Sequence, residues 1–335
     1  MRLLFEISME HKDLPVAEIC SCLNSVDIKY DVIYNDSSYV LIDCNVDLQD
    51  IINVSSRLSM TYFVNEFLFS CKASIRELEK TVVDFKLHRK GSLAVKYKNR
   101  SNNVDSRGIV EVLADFYTKG REVNLNDPDV EIRALITDDN VNVGLKILEV
   151  DRAQFEGRRA HHRPFFSPIS LHPKIARVLV NLSEIKPGDV LLDPFCGTGG
   201  ILLEAGLMNM RIIGSDIEKK MINGSRKTLD YYKIKDYELI CSDVGDICKD
   251  ISDVDAVVTD FPYGKAASTR GENIKDLYDR AFMSISKVLK KGGRAVVGLS
   301  DEDIVSIGEK YLSLINIYSY RVHKSLTRYF AVYKY

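Results

Sequence analysis

The spacing of apolar residues along this 335-residue chain changes character near residue 160. Before that point, period-two runs mix with helix-spaced ones. "SYVLIDC" (38–44) and "SLAVKYK" (92–98) alternate as strands do, sending successive side chains to opposite faces. In "DLQDIINVSSRLSMTYFVNEFLF" (47–69), Ile51, Ile52, Leu58 and Tyr62 sit at helical spacing ahead of a second β-like run. "DSRGIVEVLADFYTKG" (105–120) predicts an amphipathic helix. Ile109, Val112, Leu113 and Phe116 share a face, and Gly120 suits the C-terminal cap. "VEIRALITDDNVNVGLKI" (130–147) predicts a hairpin that turns at Asp138–Asn140. This is an α+β region, read as two small units, residues 1–60 and 61–150.

Residues 151–170, "DRAQFEGRRAHHRPFFSPIS", carry basic residues, prolines and phenylalanines without a period, and read as a linker. From 171 to 335 helices and strands alternate. "HPKIARVLVNLSEI", "GGILLEAGLM", "EKKMINGSRKTLDYY" and "IKDLYDRAFMSISKVLK" are helical in pattern. "DVLLDPF", "RIIGSDI", "YELICSDV", "VDAVVTDF" and "GGRAVVGLS" are strands, and further strands end the chain. Such alternation predicts a largely parallel, doubly wound α/β sheet.

Composition adds limits. No stretch reaches 18 apolar residues, so no membrane span is expected. The start, "MRLLFEISMEHK", lacks the pattern of a signal peptide. The seven cysteines are scattered without a CxxC pair, which fits reduced thiols, a cytoplasmic protein and no metal site. Net charge is only −2, yet Lys86, Arg89, Lys90, Lys96, Lys98, Arg100 and Arg107 face Asp105 alone within 22 residues, a local +6. That patch is either a solvated face or a surface for nucleic-acid phosphates.

The chemistry gathers at strand ends. Open α/β sheets bind ligands outside the carboxyl ends of their strands. Four successive strands here end in aspartate: Asp193, Asp216, Asp243 and Asp260. One such acid is ordinary turn chemistry; four in order would line one crevice. After the first, "DPFCGTGGILLEA" offers Gly197, Gly199 and Gly200, which let backbone approach a ligand. This is neither the GxxxxGK[ST] phosphate loop nor the GxGxxG fingerprint. An acid four residues ahead of the glycines would repel a pyrophosphate but accept from an ammonium. Asp216 stands where an acid holds a ribose diol, and Asp243 with Val244 where an adenine edge would lie. Together they describe a pocket for S-adenosylmethionine.

At this level of detail residues 171–335 resemble a Rossmann-like S-adenosylmethionine-dependent methyltransferase. "DPFCGTGG" followed by "TDFPYG" is similar to the amino-group methyltransferases with the signature [DNS]-P-P-[YFW]. The N-terminal part resembles a THUMP RNA-binding domain preceded by a ferredoxin-like unit. "RRAHHRPFFSPISLHPKIARVLVNLSEIKPGDVLLDPFCGTGG" is similar to the junction in the archaeal tRNA guanine-10 N2-methyltransferase family. The resemblance implies a tRNA substrate and a cofactor site of Asp193, Pro194, Phe195, Gly197, Thr198, Gly199, Gly200, Asp216, Ile217, Asp243, Val244 and Asp260. Phe166 and His172 would pack over the methionine side. Asp260, Pro262 and Tyr263 would handle the base, and Lys86, Arg89, Lys90, Lys96, Lys98 and Arg100 the RNA.

On that reading Asp260 accepts from one N–H of the guanine 2-amino group and a carbonyl of Phe261 or Pro262 accepts from the other. Tyr263 stacks on the extruded ring. The implied product is N2-methyl- and N2,N2-dimethylguanosine at tRNA position 10. The alternatives are another position in tRNA or ribosomal RNA, and a catalytically silent RNA-binding module. Phe261 departs from the family's proline. A proline there would hold Asp260 extended; Phe261 either adds an aromatic wall or packs into the core.

Overall fold

Strand-forming runs on both sides of residue 60 join one sheet. A computed structural model describes residues 1–167, 170–263, 272–323 and 326–335. The chain divides into two compact units: residues 1–16, 28–56 and 60–151 form the first, and 17–27, 57–59 and 152–335 the second.

In chain order the N-terminal elements are β1 (Arg2–Ile7), α1 (Leu14–Asn24), β2 (Tyr30–Asn35), β3 (Tyr39–Cys44), α2 (Leu48–Ser55), β4 (Thr61–Lys72), α3 (Ile75–Val82), β5 (Leu93–Asn99), α4 (Ser106–Tyr117), β6 (Val130–Ile136) and β7 (Asn140–Glu149). The seven strands pair in the order β2-β3-β1-β4-β7-β6-β5. The divide expected at residue 60 therefore does not interrupt the sheet. β4 is 12 residues long and pairs antiparallel with β1 on one edge and β7 on the other. Helix α4 forms as its periodicity predicts: the Asp105 carboxylate accepts from the Arg107 and Gly108 amides, and Ile109, Leu113 and Tyr117 are buried. They join Leu78, Leu93, Ile132 and Val143 in the core beneath.

The second unit contains α5 (Ala153–Gly157), α6 (Pro173–Leu182), β8 (Val190–Asp193), α7 (Gly200–Gly206), β9 (Arg211–Asp216), α8 (Lys219–Tyr231), β10 (Tyr237–Cys241), β11 (Val254–Asp260), α9 (Ile274–Val288), β12 (Leu289–Leu299), α10 (Val305–Gly308), β13 (Ser313–His323) and β14 (Leu326–Lys334). Strand order is β10-β9-β8-β11-β12-β14-β13. The first five strands run parallel, and β14 pairs antiparallel with both β12 and β13. The α+β region followed by a doubly wound sheet is the fold class read from the sequence. The stretch read as a linker, residues 151–170, contains α5, whose Phe155 is fully buried. Residues 17–27 are tied into this unit by Glu18, whose buried carboxylate accepts from Ser59 and from the Asn181 amide.

The chain runs outward from β8 to β9 and β10, then crosses back to β11 on the other side of β8. The switch point thus falls between β8 and β11, which brings the ends of those two strands, Asp193 and Asp260, to one crevice.

Candidate active site

One cavity of about 510 Å³ opens at these strand ends. All four strand-end acids, Asp193, Asp216, Asp243 and Asp260, line it. So do Pro194, Phe195, Gly197, Thr198, Gly200, Ile217, Val244, Pro262 and Tyr263. Gly199 shapes the loop from behind, where its φ of +75° belongs to the left-handed region that glycine tolerates.

The acids differ in environment. Asp193 is 1% exposed, and its Oδ1 accepts from the Phe195 amide at 3.2 Å. Burial pushes its carboxyl up to about 7. Asp216 ties two loops together by accepting from the Gly197 amide at 3.0 Å and the Glu218 amide at 2.8 Å. Burial raises its carboxyl too, against the pull of those amides. Asp243 accepts from the Gly245 amide at 2.8 Å and pairs with Arg280, which also grips Glu272 at 2.8 Å. Cys196 is buried, and burial holds its thiol protonated, which suits a packing role.

At the β11 end, the Tyr263 hydroxyl donates to Asp260 Oδ1. Arg328, on β14, stands 3.4 Å from Asp260 Oδ2. Its guanidinium also lies 5.0 Å from the Tyr263 ring centroid. Tyr263 therefore holds the carboxylate here, and one ring face is covered by Arg328. Burial pushes the Asp260 carboxyl up, while Arg328 and Tyr263 pull it back. Gly298 pairs with Asp260 across β11 and β12, and a Cβ there would collide with Asp260 Oδ1. The Pro262 carbonyl accepts from the Tyr278 hydroxyl at 2.6 Å.

Phe261 is a core residue. It is fully buried, with Phe195, Tyr278 and Phe282 rings 5.0–5.1 Å from its own. Its amide donates to the Gly298 carbonyl at 3.0 Å. Gly264 and Pro168 lie outside the described residues.

Besides Gly199, two residues expected at the cofactor, Phe166 and His172, are not among the described lining residues. The Phe166 ring is 53% exposed. His172 Nδ1 accepts from the Lys174 amide and so caps α6. Ser167, Ser170 and Leu171 line the cavity in their place, with Ser170 Oγ 3.2 Å from Thr198 Oγ1. Sequence reasoning also missed Met221, Leu277, Glu272 and Arg328. None of them carried a local signal: Arg328 shares β14 with Lys334, and only the pairing of β14 beside β12 brings it to the site.

The basic patch splits. Lys86, Lys90 and Lys98 are exposed. Arg89 is paired with Glu66 at 2.5 Å, and Lys96 lies 3.0 Å from buried Glu131, which also holds Arg133 and Lys146. Arg100 donates to the Ile7 carbonyl at 3.3 Å.

The doubly wound sheet and its acid-lined crevice define a methyltransferase domain of the Rossmann-like class. Residues 160–329 match the family model described as RMKL-like, methyltransferase domain, and a second model, DNA methylase, matches residues 72–227. Over 331 residues, 98% of each chain, the protein is 37% identical to the tRNA (guanine(10)-N2)-dimethyltransferase of Methanothermobacter thermautotrophicus. It is 30% identical to that of Methanocaldococcus jannaschii over 96% of this chain and 88% of the relative. The chain belongs to the tRNA (guanine(10)-N2)-dimethyltransferase family. Its fold is shared with TrmN from Thermus thermophilus (TM-score 0.57, 18% identity, all of both chains). It is also shared with SMU.472, solved in complex with SAH (TM-score 0.54, 13% identity, 99% and 97% of the chains).

Proposed function

We propose that this protein methylates the exocyclic N2 amine of guanosine at position 10 of tRNA, using S-adenosylmethionine and adding up to two methyl groups. The observation that carries the reading is the placing of Asp260 and Pro262 in the same cavity as Asp193, Asp216 and Asp243. Three acids suit the cofactor and the fourth is left for the substrate.

The donor set fits the cofactor. Asp193 offers a buried carboxylate to an ammonium, Asp216 offers fixed lone pairs to a diol, and Asp243 with Val244 frames an adenine. Bound there, the cofactor supplies an electrophilic sulfonium methyl. The guanine amine is a poor nucleophile because its lone pair is delocalised into the ring. Asp260 accepts from one N–H and a main-chain carbonyl of Phe261–Pro262 from the other, which turns the lone pair out of the ring plane. Were the amine to take that methyl, with the sulfonium S–CH3 bond breaking to leave a neutral thioether, Asp260 would stabilise the positive charge on nitrogen and take its proton, directly or through water. Reaching such a pocket requires the guanine to leave the tRNA stack. The exposed Lys86, Lys90 and Lys98 supply phosphate contacts in the N-terminal unit, whose resemblance to a THUMP domain supports an RNA role.

The test is nucleoside mass spectrometry of a tRNA transcript incubated with labelled cofactor. Label in N2-methyl- or N2,N2-dimethylguanosine is expected. It should vanish when guanosine 10 is replaced by adenosine, and with Asp260→Asn in a chain that still binds cofactor. Label on adenosine, or on a guanosine elsewhere, overturns the reading.

A further inference from the structure

The two oxygens of Asp260 have different partners, and they come from different parts of the chain. Oδ2 faces Arg328 of β14 at 3.4 Å; Oδ1 takes the hydroxyl of Tyr263, three residues on from Asp260 itself. We propose that Arg328 is a positioning residue for the reaction: it anchors Asp260 through Oδ2 so that Oδ1 is the atom presented to the incoming amine, and the Tyr263 hydroxyl occupies Oδ1 until that amine arrives. This rests on the function proposed above.

Four observations support the assignment. Arg328 is buried, and its Nε–H has no acceptor among the described residues. A buried guanidinium with so little compensation is costly to keep unless its partner must be held. Arg328 lines the cavity, so its charge acts from inside the site. Gly298, opposite Asp260 on β12, leaves room for Oδ1 where any Cβ would collide with it. Finally, Tyr263 presents an O–H donor to the very atom that an amine N–H would need. A resting donor at that place saturates a buried carboxylate oxygen and is exchanged for another donor when the substrate enters, so little hydrogen bonding is lost in the exchange.

The charges around Asp260 come from few elements. Arg328 on β14 favours the ionised form. Asp193 of β8 opposes it, and the Tyr263 and Tyr278 hydroxyls face it from the β11 loop and α9. Among the described residues of this set, Arg328 is the one cation. Without it, Asp260 would hold its proton to higher pH and offer the amine a weaker acceptor.

The experiment compares the parent protein with Arg328→Met, Arg328→Gln and Arg328→Lys. Methyl transfer to tRNA is followed across pH, cofactor affinity by calorimetry, and the Asp260 carboxylate by 13C NMR of aspartate-labelled protein. For Met and Gln the expected result is a fall of about 100-fold in kcat, as for a misplaced reacting group, with cofactor Kd changed less than about threefold. The acid limb of the pH profile and the NMR titration of Asp260 should both move to higher pH. Arg328→Lys should restore the position of the limb. An Asp260 titration that does not move in Gln or Met overturns the proposal, as does an activity loss matched by lost cofactor binding. Should the parent itself fail to label guanosine, the proposed function falls, while the NMR titration still decides the anchoring of Asp260 by Arg328.

Discussion

The Tyr278 hydroxyl donates to the Pro262 carbonyl at 2.6 Å. Tyr278 sits on α9, fully buried, with its ring 5.0 Å from Phe261. The contact couples a rigid helix to the main chain that follows Asp260, and so fixes the carbonyls offered to the substrate amine. Tyr278→Phe keeps the ring and removes the donor. We expect kcat for methyl transfer to fall about five- to tenfold, the worth of one hydrogen bond, with cofactor Kd unchanged. Single-turnover kinetics alongside calorimetry would show this, and equal losses in both would place Tyr278 in the fold alone.

Asp193 links cofactor binding to protons. Burial disfavours the charge and pushes its carboxyl up to about 7. A cationic ammonium requires the ionised form, so binding near pH 7 should release a fraction of a proton and weaken as pH falls. Calorimetry in two buffers of different ionisation enthalpy measures that release, and Asp193→Asn should abolish most of it together with the affinity. Stability gives the opposite sign. A carboxyl whose folded-state pKa is raised stabilises the fold at low pH, and that contribution is lost as pH rises through about 7. Unliganded Asp193→Asn should therefore melt above the parent at pH 8, with the gap closing towards pH 4.

The strand-end acids are legible because each is a local event, an apolar run followed by one carboxylate, and parallel pairing in register carries all four to one edge. The switch point that turns that edge into a cavity follows from strand order, which spacing predicts only by analogy. Arg328 is not legible. It lies 68 residues beyond Asp260 and meets it because β14 turns back antiparallel beside β12, a long-range pairing invisible to local pattern. The expected boundary at residue 60 fails for a similar reason: β4 serves two neighbours from distant parts of the chain. His172 departs from expectation because its side chain is used locally, capping α6 ahead of Pro173.

Phe261 stands where the resembling signature has proline, and the structure gives the ring a packing role. Its amide bonds to Gly298, and three aromatic rings surround it. Phe261→Pro would restore the signature but remove both the donor and the ring. We expect a loss of about 3–5 kcal/mol in urea unfolding, the range for emptying a buried phenylalanine site. Stability equal to the parent would mean the surrounding rings close over the site without cost.

The basic segment yields the last prediction, because its cations are not equivalent. Lys86, Lys90 and Lys98 are exposed, whereas Lys96 pairs with the buried Glu131 carboxylate. Phosphate contacts release counterions, so each lysine that makes one adds to the salt dependence of binding. Replacing Lys86, Lys90 and Lys98 together by alanine should weaken tRNA binding. It should also flatten the plot of log K against log salt by roughly one unit for each phosphate no longer neutralised. Lys96→Ala should leave that slope nearly unchanged and instead lower the melting temperature slightly, since Arg133 and Lys146 still compensate Glu131. Filter binding from low to moderate salt separates the two. A Lys96 variant that flattens the slope as much as the triple variant would make Lys96 itself part of the RNA surface.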